Sequence, residues 1–210
     1  MQERLGVPIC LITADNIDEF LLPDYPLHPA FEYLSSVHKS DYLRIYLARF
    51  YGGGWHDIKP TEVSFAELFD EFADPNIWWL GRPELKGRTA KVWDGHGHWI
   101  PYHWRDMVAA SPYICRTATP LTRELYANVN RYLDRELKRL KRHPAHSPYA
   151  RKRDFYWVRQ IKSYVRTAGN YPINFTFFGD FLQPLIYHYR DHVSRRLPSD
   201  EQYCLNFPYR

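Results

Sequence analysis

The sequence predicts a single α/β domain with a largely parallel sheet flanked by helices. Short apolar runs of strand length alternate along the chain with segments of helical periodicity, which is typical of this class. The length of 210 residues fits one domain with a core of its own. A hydrophobic fraction of 45% excludes disorder for most of the chain. The aromatic fraction of 17% indicates a ring-rich core, and it also suits stacking on sugars or nucleobases.

The first part of the chain predicts a strand, a helical turn and a long helix. Residues 7–13 (VPICLIT) form an apolar run between turn residues and predict a buried strand. Residues 16–22 predict one helical turn that ends at Pro23. Residues 30–51 carry apolar side chains at helical spacing and run into three glycines, which predicts a helix with a clear end. A strand end at 55–58 is expected after this glycine turn.

The second part is expected to continue the alternation. Residues 64–72 place Ser64 and Glu67 at the spacing of a capping box, which predicts a helix. The strongest helical pattern covers residues 120–140, opens at Thr119 and Pro120, and breaks at 143–148. Further strands are predicted at 77–80, 90–93 and 108–115, and further helices at 155–167 and 177–189.

The sequence carries no signal for secretion or membrane insertion. No run of 18 apolar residues occurs, and the first thirty residues lack the pattern of a signal peptide. The three cysteines, Cys10, Cys115 and Cys204, are too scattered for a disulfide framework or a cysteine-based zinc site. We therefore expect a cytoplasmic protein with reduced thiols and no membrane span.

Charge is distributed unevenly between the two parts of the chain. Residues 1–80 contain 5 basic and 13 acidic residues, whereas residues 81–210 contain 23 basic and 11 acidic residues. Such asymmetry indicates an anionic partner near the second part, or two faces of one domain that attract each other.

The segment 39–60 combines charged residues with a glycine turn. Asp41 and Arg44 are three residues apart and share one face of the predicted helix. Asp57 follows just beyond the glycines. A helix that ends in glycines before a strand brings the backbone close to a ligand, at the sheet edge where open α/β sheets bind nucleotides. An arginine fork can hold a diphosphate or sugar hydroxyls, and carboxylates can accept from hydroxyls or hold a metal ion.

This segment resembles the signature of GT-A-fold glycosyltransferases with a DXD sugar-binding region, as in enzymes of capsular polysaccharide synthesis. The letters that carry it are S-D-Y-L-R at 40–44 and Y-G-G-G-W-H-D-I-K at 51–59. Together with segments 119–122, 169–173 and 187–189, it is most similar to glycosyltransferases of large DNA viruses that infect algae. The resemblance implies a GT-A-like fold and transfer of a sugar from a nucleotide donor, a UDP-sugar, to a glycan or glycoprotein. A viral source would imply the host cytoplasm.

The resemblance assigns roles to individual residues. It implies that Asp41 and Arg44 contact the donor sugar and that Asp57 lies against the ribose and the metal-bound diphosphate. Trp55 matches an aromatic position in the turn before that acid. The family's first strand is not recognisable, so residues 9–13 are expected to grip the base, with Thr13 at the donor.

Lys59 stands where the family has the second acid of DXD, which ligates Mn²⁺ or Mg²⁺. A protonated lysine cannot bind a metal ion. Either Asp57 holds a divalent ion weakly with water and the diphosphate, or Lys59 partly replaces the ion's charge. We favour the metal-assisted site. Asp57, Arg44 and Lys59 are then the expected catalytic residues, because cations stabilise the charge that develops on the leaving diphosphate.

A second segment, D-G-H-G-H-W at 94–99, is the candidate acceptor site. The surrounding rings suit a platform for the acceptor sugar, so Asp94, His96, His98 and Trp99 are the predicted acceptor-binding residues. A zinc site at the two histidines and an ordinary turn remain the alternatives. A direct displacement also needs a carboxylate base near the acceptor hydroxyl, for which Asp94, Asp180 and Asp191 are available.

Two other functions remain open from the sequence. The chain could be a non-catalytic nucleotide-sugar or carbohydrate-binding module in which Lys59 has abolished turnover. The basic runs 138–142 and 151–153 are either a solvated helix end and loop or a surface for single-stranded nucleic acid, which the acidic first part disfavours. For the glycosyltransferase, residues 1–80 are the expected nucleotide-sugar-binding part and 81–210 the acceptor-binding part. The abrupt ending is compatible with a fragment of a longer polypeptide.

Overall fold

The computed structural model describes residues 2–58, 64–87, 92, 98–152 and 170–198 of the chain. Its α-helices are α1 (Gln2–Leu5), α2 (Ser36–Phe50), α3 (Pro120–Arg142) and α4 (Phe177–His188). Its strands are β1 (Gly53–Trp55), β2 (Trp79–Pro83), β3 (Val108–Cys115) and β4 (Val193–Ser194). Short 3₁₀ helices occupy Ile17–Phe20, Phe31–Tyr33, Ala66–Ala73, His103–Asp106 and Arg190–His192. The domain is therefore mixed α/β, which confirms the predicted class at this level.

The described part of the sheet is mixed, with the strand order β1-β3-β2-β4. β3 runs antiparallel to both β1 and β2, and β2 runs parallel to β4. The prediction of a largely parallel sheet is thus wrong. Parallel neighbours need a long crossover that is usually helical. The described residues between β2 and β3 carry only the 3₁₀ helix His103–Asp106, and β3 returns beside β2 in the opposite direction.

Side-chain caps set the starts of the two long helices. Ser35 precedes α2 in an extended conformation, and its Oγ accepts from the backbone N–H of His38. The predicted helix 30–51 is therefore divided into a 3₁₀ turn and α2. Thr119 caps α3 in the same way by accepting from Thr122 N–H, with Pro120 at the first helical position. α3 confirms the prediction for 120–140 and extends it to Arg142.

Three helices, α2, α3 and α4, pack against one another, and α4 also packs on β3. Alternate strand residues belong to different apolar clusters, as the period of two in a strand requires. Trp79 and Tyr113 join the large core with the helices, whereas Leu80 and Ile114 join a smaller cluster with Phe65. Because Tyr113 is in the core with α2, β3 can fix the position of that helix directly.

The strand predicted at residues 7–13 is not formed. Ile9 and Leu11 are 38% and 58% exposed, and no partner strand lies beside them in the described chain. Strand propensity needs such a neighbour to take effect. The side chain of Asn16 instead accepts from Thr13 N–H and donates to the carbonyl of Leu11, which favours a local turn.

Most other elements follow the predictions. β3 has the predicted bounds 108–115, α4 covers most of 177–189, and the helix expected at 64–72 is the 3₁₀ helix Ala66–Ala73. The strand at 77–80 corresponds to β2. The strand end predicted at 55–58 is misplaced, because β1 covers Gly53–Trp55 and ends where the prediction begins. The helix predicted at 155–167 and, apart from Val92, the strand at 90–93 lie outside the described residues. No helix in the described ranges combines the length and apolarity needed to cross a membrane.

The glycine turn connects α2 to β1 through left-handed backbone. Gly52 has φ +69°, and a Cβ placed there would lie 2.8 Å from Thr117 N and 2.9 Å from Cys115 O. Gly53 has φ +81°, but a Cβ at that position would meet nothing within 4 Å. Gly52 therefore combines a conformational requirement with a close approach of backbone to backbone.

We expect Gly52→Ala to destabilise the fold more than Gly53→Ala. Both substitutions force alanine into left-handed backbone, which costs about 1–2 kcal/mol, and only Gly52→Ala adds the steric conflict with β3. The free energies of unfolding in urea provide the measurement. Equal losses of unfolding free energy for the two variants would show that the close approach at Gly52 does not affect stability.

Candidate functional site

The guanidinium of Arg44 lies between two carboxylates. Its Nη2 is 3.5 Å from Oδ1 of Asp41, one turn earlier on α2, and 3.4 Å from Oδ1 of Asp57, two residues after β1. The three charged residues that the sequence predicted to share a pocket are therefore in contact. Trp55 joins them, because its Nε1 donates to the same Asp57 oxygen at 3.2 Å. We call Asp41, Arg44, Trp55 and Asp57 the acid–arginine cluster.

β3 holds both sides of this cluster in place. Trp55 pairs with Tyr113 across the β1–β3 ladder, which fixes the strand end from which Asp57 follows. The Tyr113 hydroxyl donates to the backbone carbonyl of Arg44 at 3.1 Å. One buried tyrosine therefore connects the helix that carries Arg44 to the strand that delivers Asp57.

Two rings enclose the guanidinium. Its Cζ lies 5.0 Å from the ring centroid of Trp55 and 4.9 Å from that of Phe178, distances that allow cation–π attraction. Phe178 is in the first turn of α4, and its backbone lies close enough to Asp41 to favour the charged form of that carboxyl and lower its pKa. Sequence reasoning missed Phe178, because no local spacing relates it to a helix 137 positions earlier.

The cluster is buried at Asp41 and partly open at Asp57. Asp41 and Arg44 are 6% and 9% exposed, whereas the side chain of Asp57 is 30% exposed. The Nε of Arg44 is buried and has no hydrogen-bond partner among the described residues. With both acids ionised the cluster carries one net negative charge. It can therefore accept hydrogen bonds or a cation at Asp57, but it does not attract an anion by itself.

Burial raises the pKa of Asp41 from 3.8 to about 6, although the neighbouring Arg44 opposes this shift. The folded protein thus holds a proton on Asp41 more tightly than the unfolded chain does. The resulting stabilisation is complete below about pH 4 and is lost as the pH rises through about 6.

We therefore expect Asp41→Asn to flatten the pH dependence of stability between pH 4 and pH 6. The difference in unfolding free energy between wild type and variant should change by the order of 2–3 kcal/mol across this window. Urea unfolding at several pH values measures it, with Asp70→Asn at an exposed position as the control. Parallel pH profiles for wild type and Asp41→Asn would show that Asp41 is not the titrating group.

His56 lies between Trp55 and Asp57 in the sequence, and the sequence analysis predicted no role for it. Its Nδ1 donates to the backbone carbonyl of Asp57 at 2.6 Å, and its ring packs against Phe65 at 5.9 Å. The Nε2 is buried, and no residue in the described part of the chain is its hydrogen-bond partner. His56 thus stabilises the bend at which the chain leaves β1 and presents Asp57.

Of the other predicted site residues, the structure describes Thr13, His98 and Trp99. Thr13 is on the exposed segment before Asn16, outside the acid–arginine cluster. His98 and Trp99 are described and exposed, and the Trp99 side chain is 54% accessible. Lys59, Asp94 and His96 lie outside the described residues, so their predicted roles stay predictions. Of the candidate bases, Asp180 and Asp191 are exposed, and Asp180 accepts from the Thr176 hydroxyl.

Asp57 is the predicted metal ligand. Its Oδ1 already accepts from Arg44 and Trp55. Within the described residues, no three histidine, cysteine or acidic side chains are grouped so that they could hold a metal ion. Oxygen ligands for a divalent ion at Asp57 can also come from water and from the phosphate groups of a bound nucleotide.

The acid–arginine cluster is thus a partly open carboxylate supported by a buried guanidinium and two rings. Comparison with known proteins adds no family to this picture: the chain matches no protein-family model, and no curated protein or solved structure is significantly similar to it.

Proposed function

We propose that this chain is a glycosyltransferase with a GT-A-like donor site, which moves a sugar from a nucleotide donor, a UDP-sugar, to a glycan acceptor. One observation carries the proposal. The Oδ1 of Asp57 accepts from Arg44 and Trp55, and about 30% of the Asp57 side chain is accessible, two residues after β1. The resemblance of segments 40–44 and 51–59 to the DXD region supports the same assignment.

The chemistry of Asp57 suits hydroxyl groups of a sugar or a ribose. A carboxylate fixed in orientation by two donors can accept further hydrogen bonds without first losing side-chain freedom. The ring of Trp55 beside it offers an apolar surface of the kind on which sugar and base faces pack. These features favour a neutral, hydroxyl-bearing group at Asp57.

The charges in the acid–arginine cluster indicate which residues position the donor and which stabilise the leaving diphosphate. Because Arg44 is balanced by Asp41 and Asp57, we propose it as a positioning residue that orients Asp57. The leaving diphosphate needs cationic stabilisation, since it gains negative charge as the bond to the sugar breaks. Lys59, a Mn²⁺ or Mg²⁺ ion at Asp57, or both supply it. When bound, such an ion would act as the Lewis acid at the diphosphate.

Release of UDP from a UDP-sugar tests the proposal. The chain is incubated with UDP-glucose, UDP-galactose or UDP-N-acetylglucosamine, each with and without Mn²⁺, and UDP is measured over hours. We expect slow release with at least one donor, and a rise in melting temperature with that donor. If no donor gave either release of UDP or a thermal shift, the donor site at Asp57 would be contradicted.

A binding module is the second candidate, and the lysine at position 59 favours it. A module would show the thermal shift with a UDP-sugar but no release of UDP in the presence of Mn²⁺. The same pair of measurements therefore distinguishes an enzyme from a module.

A further inference from the structure

A shallow groove runs along the exposed side of α3, far along the chain from the acid–arginine cluster. At one end is a cavity of about 590 Å³ between α3 and α4, which both Asn128 and the ring of Phe181 line. At the other end is a cavity of about 440 Å³ that Arg142 and His143 line. Arg135 lines both cavities, so they adjoin along the helix. We call this continuous surface the α3 groove.

Basic residues recur along the groove at helical spacing. Arg131, Arg135, Lys138 and Arg142 are separated by four, three and four residues, which places them on one face of α3. All four are exposed. From Asn128 to Arg142 the groove extends over about 21 Å at 1.5 Å per residue. A row of cations of this length fits an extended anionic chain better than a small anion.

Acidic side chains lie among these cations. The cavities are also lined by Asp134, Asp180 and Glu136, so five basic groups, including Arg139, accompany three carboxylates. A nucleic acid carries a charge on every phosphate, so a strand that follows the groove would place phosphates against these carboxylates. A chain with hydroxyl groups between its acidic groups can avoid this repulsion. Carboxylates suit a chain in which hydroxyl groups alternate with acidic groups, because they accept from the hydroxyls while arginines bind the acids.

The ring of Phe181 adds an apolar surface at one end. It is partly buried against Tyr132, at 5.3 Å between centroids, and still lines the cavity between the helices. The ring can pack against the face of a sugar, while the neighbouring amide and guanidinium groups can bind the hydroxyl groups at its edge.

We infer that the α3 groove binds an acidic glycan, a chain of sugars that carries carboxylate or sulfate groups. This inference rests on the proposed function and deepens it, since it names the class of acceptor. The residues that line the groove are not those of segment 94–99, for which the acceptor role predicted from the sequence stays a prediction. The excess of basic residues after position 81 agrees with an anionic partner on this side.

Binding of a defined oligosaccharide tests the inference without any transfer reaction. The probe is a galacturonate oligosaccharide, compared by calorimetry with a galactose oligosaccharide of equal length and with a short oligouridylate, at about 0.1 M salt. We expect binding of the galacturonate chain at least tenfold tighter than either of the others. Tighter binding of oligouridylate, or equal binding of the neutral sugar, would overturn the inference.

A pair of substitutions on one helix locates the site. Arg135→Gln should weaken binding of the galacturonate chain about tenfold or more, because Arg135 lines both cavities. Arg123→Gln, also exposed on α3 but outside both linings, is the matched control and should change it less than twofold. Equal losses for the two variants would indicate attraction to overall charge and would overturn the groove as a site.

The two proposals can fail separately. A chain that binds galacturonate but neither binds nor hydrolyses a UDP-sugar would refute the glycosyltransferase and retain the groove. A chain that releases UDP but binds no acidic glycan would retain the enzyme and overturn the groove.

Discussion

Replacing Asp57 with asparagine is expected to lower UDP release by at least about 100-fold, a loss typical of removing one group that stabilises a transition state. Asparagine keeps an oxygen that can accept from Arg44 and Trp55, so the local fold should be retained. It lacks the charge that would hold a divalent ion or bind hydroxyls strongly. Rates are measured with saturating donor and Mn²⁺, and circular dichroism verifies folding.

Asp70→Asn provides the control, because Asp70 is an exposed acid on the 3₁₀ helix Ala66–Ala73. It should release UDP at the rate of the wild type. Full activity of Asp57→Asn would remove Asp57 from the catalytic machinery and withdraw the proposed donor site.

Replacing Arg44 with methionine should destabilise the fold by about 3–5 kcal/mol, the usual cost of leaving a buried charge without its partner. Asp41 is 6% exposed and would lose its ion pair, while Asp57 would lose the donor Arg44. Methionine still fills space between the rings of Trp55 and Phe178, so loss of the charge is the main change. Urea unfolding at pH 7 gives the free energies.

A double-mutant cycle separates charge from packing. Asp41→Asn combined with Arg44→Met removes the buried pair together, and we expect it to recover a large part of the loss caused by Arg44→Met alone. Additive losses in the double variant would show that the Asp41–Arg44 pair contributes nothing specific, and that Arg44 acts through its packing.

The elements that the sequence predicted well are those that depend on local patterns. Thr119 and Pro120 with leucines at helical spacing define α3, and an apolar run defines β3 with the observed bounds. The direction of the strands could not be read in this way, because it depends on how the chain returns through residues 84–107. Residues 7–13 illustrate the same limit, since an apolar run becomes a strand only where a neighbour is available.

In the candidate site, too, the local sequence predicted the residues that are close in the chain and missed the one that is distant. Asp41 and Arg44 share a helix face by spacing alone, and the glycine turn brings Asp57 to them within a few residues of sequence. Phe178, whose ring contacts the guanidinium of Arg44, comes from a distant helix and had no local signal. The site therefore depends on the packing between α2 and α4 as well as on the residues of segment 41–57.

The three residues of β1 pair with β3 alone in the described sheet. A strand this short with a single neighbour is among the first elements to open transiently in a folded domain. Asp57 would leave Arg44 whenever it opens, so anything that holds Asp57 also holds β1 closed. Binding of a ligand at Asp57 should thus slow amide exchange at Gly53, Gly54 and Trp55.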